Sequence, residues 1–228
     1  MGRRPQTNPR KTASQKRSRA TVDALVEATA RVLIREGYDR TSTNRIASVA
    51  GVSIGSLYQY FPSKEALVAA VIERHTQELS RVVRETYLKI AALPIRLGMR
   101  EMVTAAIAAH RVDPKLHRIL DEEVPRTGRL ENVDAALQNA CALFRVYLEA
   151  HRDEIEVADL DLAAFVLVTT VEALTHSAVL HRPDILAGEN ADAFVDEATG
   201  LVLRYLRVSP TGGRRRAGDS ARATLRPS

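Results

Sequence analysis

The feature that most constrains this chain is the way glycine, proline and hydroxyl residues cut its first third into short lengths of helical period. From Thr21 to Glu36 the positions Val22, Leu25, Val26, Thr29, Val32 and Leu33 recur at the three-and-four spacing of one helix face. Gly37 follows and predicts a helix end through a left-handed residue. Thr41, Ser42 and Thr43 offer N-caps for a second helix running to about Ala50, with Ile46, Ala47 and Val49 turned inward, and Gly51 stops it. Ser53 is placed to cap a third short helix through Tyr60, and Phe61-Pro62-Ser63 ends that one and caps the next. Helix, glycine turn, helix over residues 43–60 is the pattern that seats a second helix in the DNA major groove. Two helices this short are marginal alone, so the apolar face of the longer helix before them must hold them.

Beyond Ser63 the helical segments lengthen. Residues 63–92 can run as one helix or two, with Leu67, Val71, Leu79, Val82, Val83 and Ile90 as apolar contacts. Pro94 begins a segment to about residue 112 and Pro114 a shorter one ending near Glu123. Pro125 and Gly128 mark a loop over 124–129, and helices then follow over 130–152, 159–181 and 192–206, the last capped by Asn190. With 45% apolar residues but only 4% aromatic and no Trp, the composition favours packed helices, so the expected class is all-α. One cysteine, Cys141, offers neither a disulfide nor a metal cluster and reads as a small core residue. The six histidines, at 75, 110, 117, 151, 176 and 181, are scattered without metal-ligand spacing, so no metal and no cofactor is expected.

Charge divides the chain more sharply than the total of +5 suggests. Residues 1–19 hold seven basic side chains and no acidic one, and residues 207–228 hold six Arg against Asp219, which leaves residues 20–206 at a net −7. Both ends are rich in Pro, Gly, Ser and Thr and are expected to be disordered arms. The N-terminal arm precedes the helix-turn-helix and is read as a DNA contact, while the tail reads equally as a solubilising segment. The N-terminus lacks the apolar stretch of a signal peptide and no run of eighteen apolar residues occurs, so a cytoplasmic protein without a membrane partner is expected.

Residues 41–67 closely resemble the DNA-binding signature of the tetracycline-repressor (TetR) family, especially its multidrug-regulator branch. The resemblance is carried jointly by Ile46-Ala47, Ala50-Gly51-Val52-Ser53, Leu57-Tyr58-x-Tyr60-Phe61 and Ser63-Lys64-Glu65. It covers about residues 20–75 strongly; the remainder fits in length and helix count. It implies an N-terminal three-helix DNA-binding domain over 20–66 and a larger ligand-binding and dimerisation domain over 67–206. It also implies that Ile54, Gly55, Ser56, Gln59 and Tyr60, with Ser53 at the start of the helix, face bases or sugars, while Thr43, Tyr58 and Lys64 hold phosphates. Gln59 is the side chain able to make a bidentate contact, preferably to adenine, and Ile54 could pack on a thymine methyl. Gly55 leaves room for the backbone to approach DNA.

The segment from Leu160 to Leu180 is apolar nearly all round, which implies burial on more than one side. It and the amphipathic last helix, with Phe194, Val195, Ala198, Leu201, Val202 and Tyr205, could form a four-helix seam across a two-fold axis, and the resemblance implies the same pair for a homodimer. Two recognition helices would then read half-sites of an operator about 34 Å apart. The resemblance also implies a pocket for a small apolar effector, and Met99, Met102, Leu116, Leu120, Phe144, Tyr147, Phe165 and Thr169 are its expected lining, since flexible and aromatic side chains suit an adaptable cavity. Glu172 and His176, four apart on the same helix, could pair with each other, cross the dimer seam or recognise a ligand. The function expected is a repressor released from palindromic DNA by its ligand. The alternatives are a constitutive regulator of the same fold and an all-α enzyme. Gly51-Val52-Ser53-Ile54-Gly55 matches the serine-hydrolase elbow in letters, but that motif needs a strand leading into it and a helix leads in here, so no catalytic residue is assigned.

Overall fold

The computed structural model describes residues 16–125 and 130–208, so most of both basic arms, and residues 126–129 of the expected loop, lie outside the described residues. Among the described residues every regular element is helical: α1 Lys16–Arg40, α2 Thr43–Ala50, α3 Ile54–Tyr60, α4 Lys64–Ile90, α5 Ile95–His110, α6 Pro114–Glu122, α7 Leu130–Ala150, α8 Leu160–Leu180 and α9 Asn190–Tyr205. The all-α expectation therefore holds. α1 begins at Lys16, so residues 16–19 extend the helix and are not part of an unstructured arm.

Side-chain caps set most of the starts. Ser42, Ser53 and Ser63 accept the N–H of the residue three further on, and Asp113 and Asp159 do the same for α6 and α8. The regular helix of α1 breaks at Gly37 as expected, at a positive φ of 77° but with ψ 171°, a region open to glycine alone, and one more turn follows the kink to Arg40. One expectation about starts is corrected. Asn190 does not cap α9 but opens it, and Glu189 before it already has helical angles and makes no side-chain cap bond.

The packing separates into two cores bridged by α4. In the first, Leu25 and Leu33 of α1, Ile46 of α2, Leu57 of α3 and Leu67 of α4 are fully enclosed, and Leu116 and Leu120 of α6 close the cluster from the C-terminal side. Each such leucine contributes roughly 1.5–3 kcal/mol relative to an exposed one. In the second, Ile90 at the far end of α4 packs with Ile95, Met99 and Val103 of α5, Tyr147 and Leu148 of α7, Ala163 and Leu167 of α8 and Val202 of α9. At 27 residues α4 is roughly 40 Å long, enough to belong to both.

α8 is long and apolar enough by length and composition to cross a bilayer, with a mean hydropathy of 1.6. Here it packs inside the bundle through Leu160, Ala163, Ala164, Leu167 and Val171, while Leu162 and Phe165 on its other side are 56% and 50% exposed.

Candidate nucleic-acid interface

The helix-turn-helix is built by short-range hydrogen bonds around one glycine. Gly51 sits at φ 68°, ψ 30°, its N–H returning to α2, and the Val52 N–H reaches the Ala47 carbonyl at 3.0 Å. The chain leaves this turn at Ser53, whose Oγ accepts the Ser56 N–H at 3.1 Å and starts α3. Ser53 is thus a helix cap reached from a helix, unlike a hydrolase elbow. Neither α2 nor α3 has an acidic residue in its first turn, so no fixed negative charge opposes a phosphate there. Leu57 is wholly buried and pins one face of α3 to the core, which leaves the opposite face in solvent.

The DNA-facing residues expected from sequence fall into two groups. Ser53, Ile54, Gly55, Tyr58 and Gln59 are exposed, with Ile54 at 38% and Tyr58 at 42%. Tyr58 and Thr43 are joined by a hydroxyl–hydroxyl bond of 3.1 Å, so α2 and α3 present them together. Ser56 and Tyr60 are half-buried, and Tyr60 is turned inward, its hydroxyl accepting a bond from Ser18 of α1 at 2.9 Å. Lys64 is similarly engaged: its ammonium donates to the Tyr38 carbonyl at 3.1 Å and lies 4.0 Å from the centre of the Tyr38 ring. The structure thus separates a solvent-facing set from Tyr60 and Lys64, whose polar ends hold α3 and α4 against α1. Ser18 was missed in the sequence because a lone serine in a basic stretch carries no periodic signal.

The eight residues expected to line an effector pocket, and the Glu172–His176 pair, fall in different parts of the fold, which corrects their assignment to one cavity. Leu116 and Leu120 belong to the N-terminal core, because α6 leans its apolar face on α1 and α4. Met99, Phe144 and Tyr147 are packed in the C-terminal core, with Met102 against it. Phe165 lies on the outer side of α7 and α8, lining an open groove of about 710 Å³ with Leu137, Cys141 and Val146. Thr169 has its hydroxyl buried without a partner, Glu172 is exposed, and His176 lies among other histidines.

The two halves meet at α6. The Tyr38 N–H donates to Glu123 Oε2 at 2.8 Å, and a Cβ on Gly37 would stand 2.9 Å from the same oxygen, so the α1 kink and the end of α6 fit one another. From the other side Arg118 of α6 donates to the Leu180 carbonyl of α8.

Residues 25–71 match the family described as bacterial regulatory proteins, tetR family, and residues 94–206 match the tetracyclin repressor-like C-terminal domain. The chain is 35% identical over 85 residues to the nucleoid occlusion factor SlmA of Haemophilus ducreyi, a match spanning 37% of this chain but only 41% of that protein. It is 31% identical over 140 residues to an uncharacterized HTH-type transcriptional regulator of Mycobacterium bovis, covering 55% of this chain and 72% of the relative. Among solved structures it resembles the fatty acid degradation regulator FadR of Bacillus halodurans, with TM-score 0.63, 20% identity and coverage of 83% and 97% of the two chains. SmeT, the repressor of the Stenotrophomonas maltophilia multidrug efflux pump SmeDEF, is similar at TM-score 0.60, 22% identity and 84% and 93% coverage.

Proposed function

The chain belongs to the TetR family of transcriptional regulators, and we propose that within it the protein is a homodimeric repressor of the multidrug-regulator branch, released from palindromic DNA by a small apolar effector. The observation that carries the DNA-binding part is the exposed face of α3. Ile54, Tyr58 and Gln59 stand in solvent on a helix whose other side is fixed by the buried Leu57. A helix fixed this way presents those side chains to base edges without its backbone having to be ordered on binding. The resemblance of residues 41–67 supports the branch.

Dimerisation rests on the apolar residues left outside on α8 and α9. Leu162, Phe165, Leu201 and Tyr205 are 56%, 50%, 44% and 37% exposed, and a second copy related by a two-fold axis would cover them. A pair of α3 helices would then span two half-sites. Release by an effector is supported by the bridging elements: α4 starts at the cap after α3 and ends in the second core, and α6 packs in the first core while its Arg118 bonds to the Leu180 carbonyl of α8. A ligand fitting one arrangement of α5 to α8 better would shift the population toward it and change the spacing of the two α3 helices. The Thr169 hydroxyl, buried without a partner on α8, is a polar group such a ligand could satisfy. A cytoplasmic location follows from this reading.

Selection of bound fragments from a random DNA pool by the full chain tests it. The expected product is a palindrome whose half-sites lie one helical turn apart, bound by a dimer. A Tyr58→Ala, Gln59→Ala double variant is expected to stay dimeric and folded and to lose that selection. Enrichment of no sequence, or equal enrichment by the variant, overturns the reading.

A further inference from the structure

Four of the histidines that are scattered in sequence meet where the two cores join. His75 comes from α4, His110 from α5, His117 from α6 and His176 from α8. His75 Nε2 is 2.8 Å from His117 Nδ1, and His117 Nε2 is 3.1 Å from His176 Nδ1. The His110 ring lies 5.0 Å from that of His117 and 5.6 Å from that of His176, centre to centre. One ring nitrogen from each of His110, His117 and His176 falls within 4.8 Å of the others.

We propose that His110, His117 and His176 form a binding site for a divalent transition-metal ion of the zinc type, which none of the similarities above assigns to this chain. Three imidazole nitrogens from three different helices converging on one point is the donor set and number that such ions use, and imidazole is suited to zinc, copper and nickel. Around a tetrahedral zinc ion with bonds of about 2.1 Å, donors stand about 3.4 Å apart, so closure needs only side-chain tilts of an ångström or so from the present spacing. A second observation points the same way. His110 is 6% exposed, and its Nδ1 is enclosed without a hydrogen-bond partner, a state that buried polar groups rarely hold and that a bound ion would relieve.

The groups around the three donors suit the assignment. Asp121 Oδ2 lies 3.4 Å from His176 Nε2, the nitrogen pointing away from His117, and so can hold that ring's tautomer as carboxylates do behind metal-bound histidines. His75 takes the same place behind His117, on its Nδ1. Glu172 Oε1 lies 4.0 Å from His176 Nδ1, the nitrogen facing the cluster, and its exposed side chain can supply a fourth, anionic ligand. An open groove of about 270 Å³ lined by Arg74, Asp113 and Leu116 reaches His75, the ring that stands behind His117. An ion here would tie α5, α6 and α8 together next to α4, the helix that leads back to α3.

The test is titration of the chelator-treated full chain with Zn²⁺ against a competing chromophoric chelator, alongside thermal unfolding with and without the metal. One ion per subunit and a raised midpoint are expected, with X-ray absorption on the wild-type zinc complex showing imidazole nitrogen donors. His110→Gln, His117→Gln and His176→Gln should each weaken affinity at least tenfold, Asp121→Asn by about tenfold, and His181→Gln not at all. Absence of zinc binding, a bound ion without imidazole donors, or affinity unchanged in all three histidine variants overturns the proposal. The absorption measurement uses the wild type, so the result stands even if a histidine variant folds poorly, and none of these readouts involves DNA.

Discussion

Replacing Gly55 by alanine separates folding from DNA contact, because the two should move in opposite directions. Gly55 is the second residue of α3, has no positive φ, and a Cβ built there meets nothing nearer than Ser53 Oγ at 4.0 Å. The methyl group therefore enters open space within the free chain. Alanine also loses less backbone entropy on entering a helix than glycine, a gain of roughly 0.5–1 kcal/mol. In a chain of this length that corresponds to a rise of about 1–4 °C in the unfolding midpoint. The same methyl group projects from the exposed face that is proposed to lie against base edges, where it would push the helix from the groove. A loss of about tenfold or more in affinity, or at least about 1.4 kcal/mol, is expected. Differential scanning calorimetry and fluorescence anisotropy on the selected palindrome give the two numbers. A stability loss would show that residue 55 is not in an unstrained helix. A stability gain with unchanged affinity would refute the claim that this face approaches DNA.

Leu57→Ala should destabilise the chain by about 2–5 kcal/mol and abolish DNA binding even in the fraction that stays folded, measured by chemical denaturation and anisotropy, since it empties the wholly buried anchor of α3. Gly98→Ala should cost about 1–3 kcal/mol, because a Cβ there would lie 2.8 Å from Tyr147 Cζ and closer still to its hydroxyl; Tyr147→Phe in the same chain should recover part of the loss, a coupling read from a double-mutant cycle. Acid should weaken the metal-free protein. Burial, then the charge of His176 and His75, lowers the basicity of His110 to about 4, and burial with the charge of His110, His75 and His176, opposed by Asp121, lowers that of His117 to about 3, against 6.5 in the unfolded chain. The unfolded state therefore binds more protons in that window, so stability should be constant with respect to these groups above about pH 7 and fall as pH drops from 6.5 toward 3. A denaturation midpoint that did not change between pH 7.5 and 5, or that changed equally in a His110→Gln, His117→Gln variant, would contradict this.

Most of the DNA-binding half was legible in the letters because its determinants are local. Ser42, Ser53 and Ser63 cap helices by bonding three residues ahead, and Gly51 takes the one backbone conformation that the turn requires, so each start and stop is decided within a few positions. That Ile54, Tyr58 and Gln59 are exposed follows likewise from Leu57 being the residue that faces in. The C-terminal half was less legible, because periodicity says which face of a helix is buried and not what it is buried against. Leu116 and Leu120 were rightly inward, yet the core they enter is that of the other half.

What the sequence determined alone, then, is where the helices run and which side of α3 looks outward, since hydrogen bonds and side-chain period act over at most a turn or two. Only the tertiary structure decided that Tyr60 spends its hydroxyl on Ser18, that Lys64 rests on Tyr38, and that His75, His110, His117 and His176 meet. Those pairings depend on how rigid helices lean on one another between residues far apart in sequence, and that is settled by the shapes of whole cores.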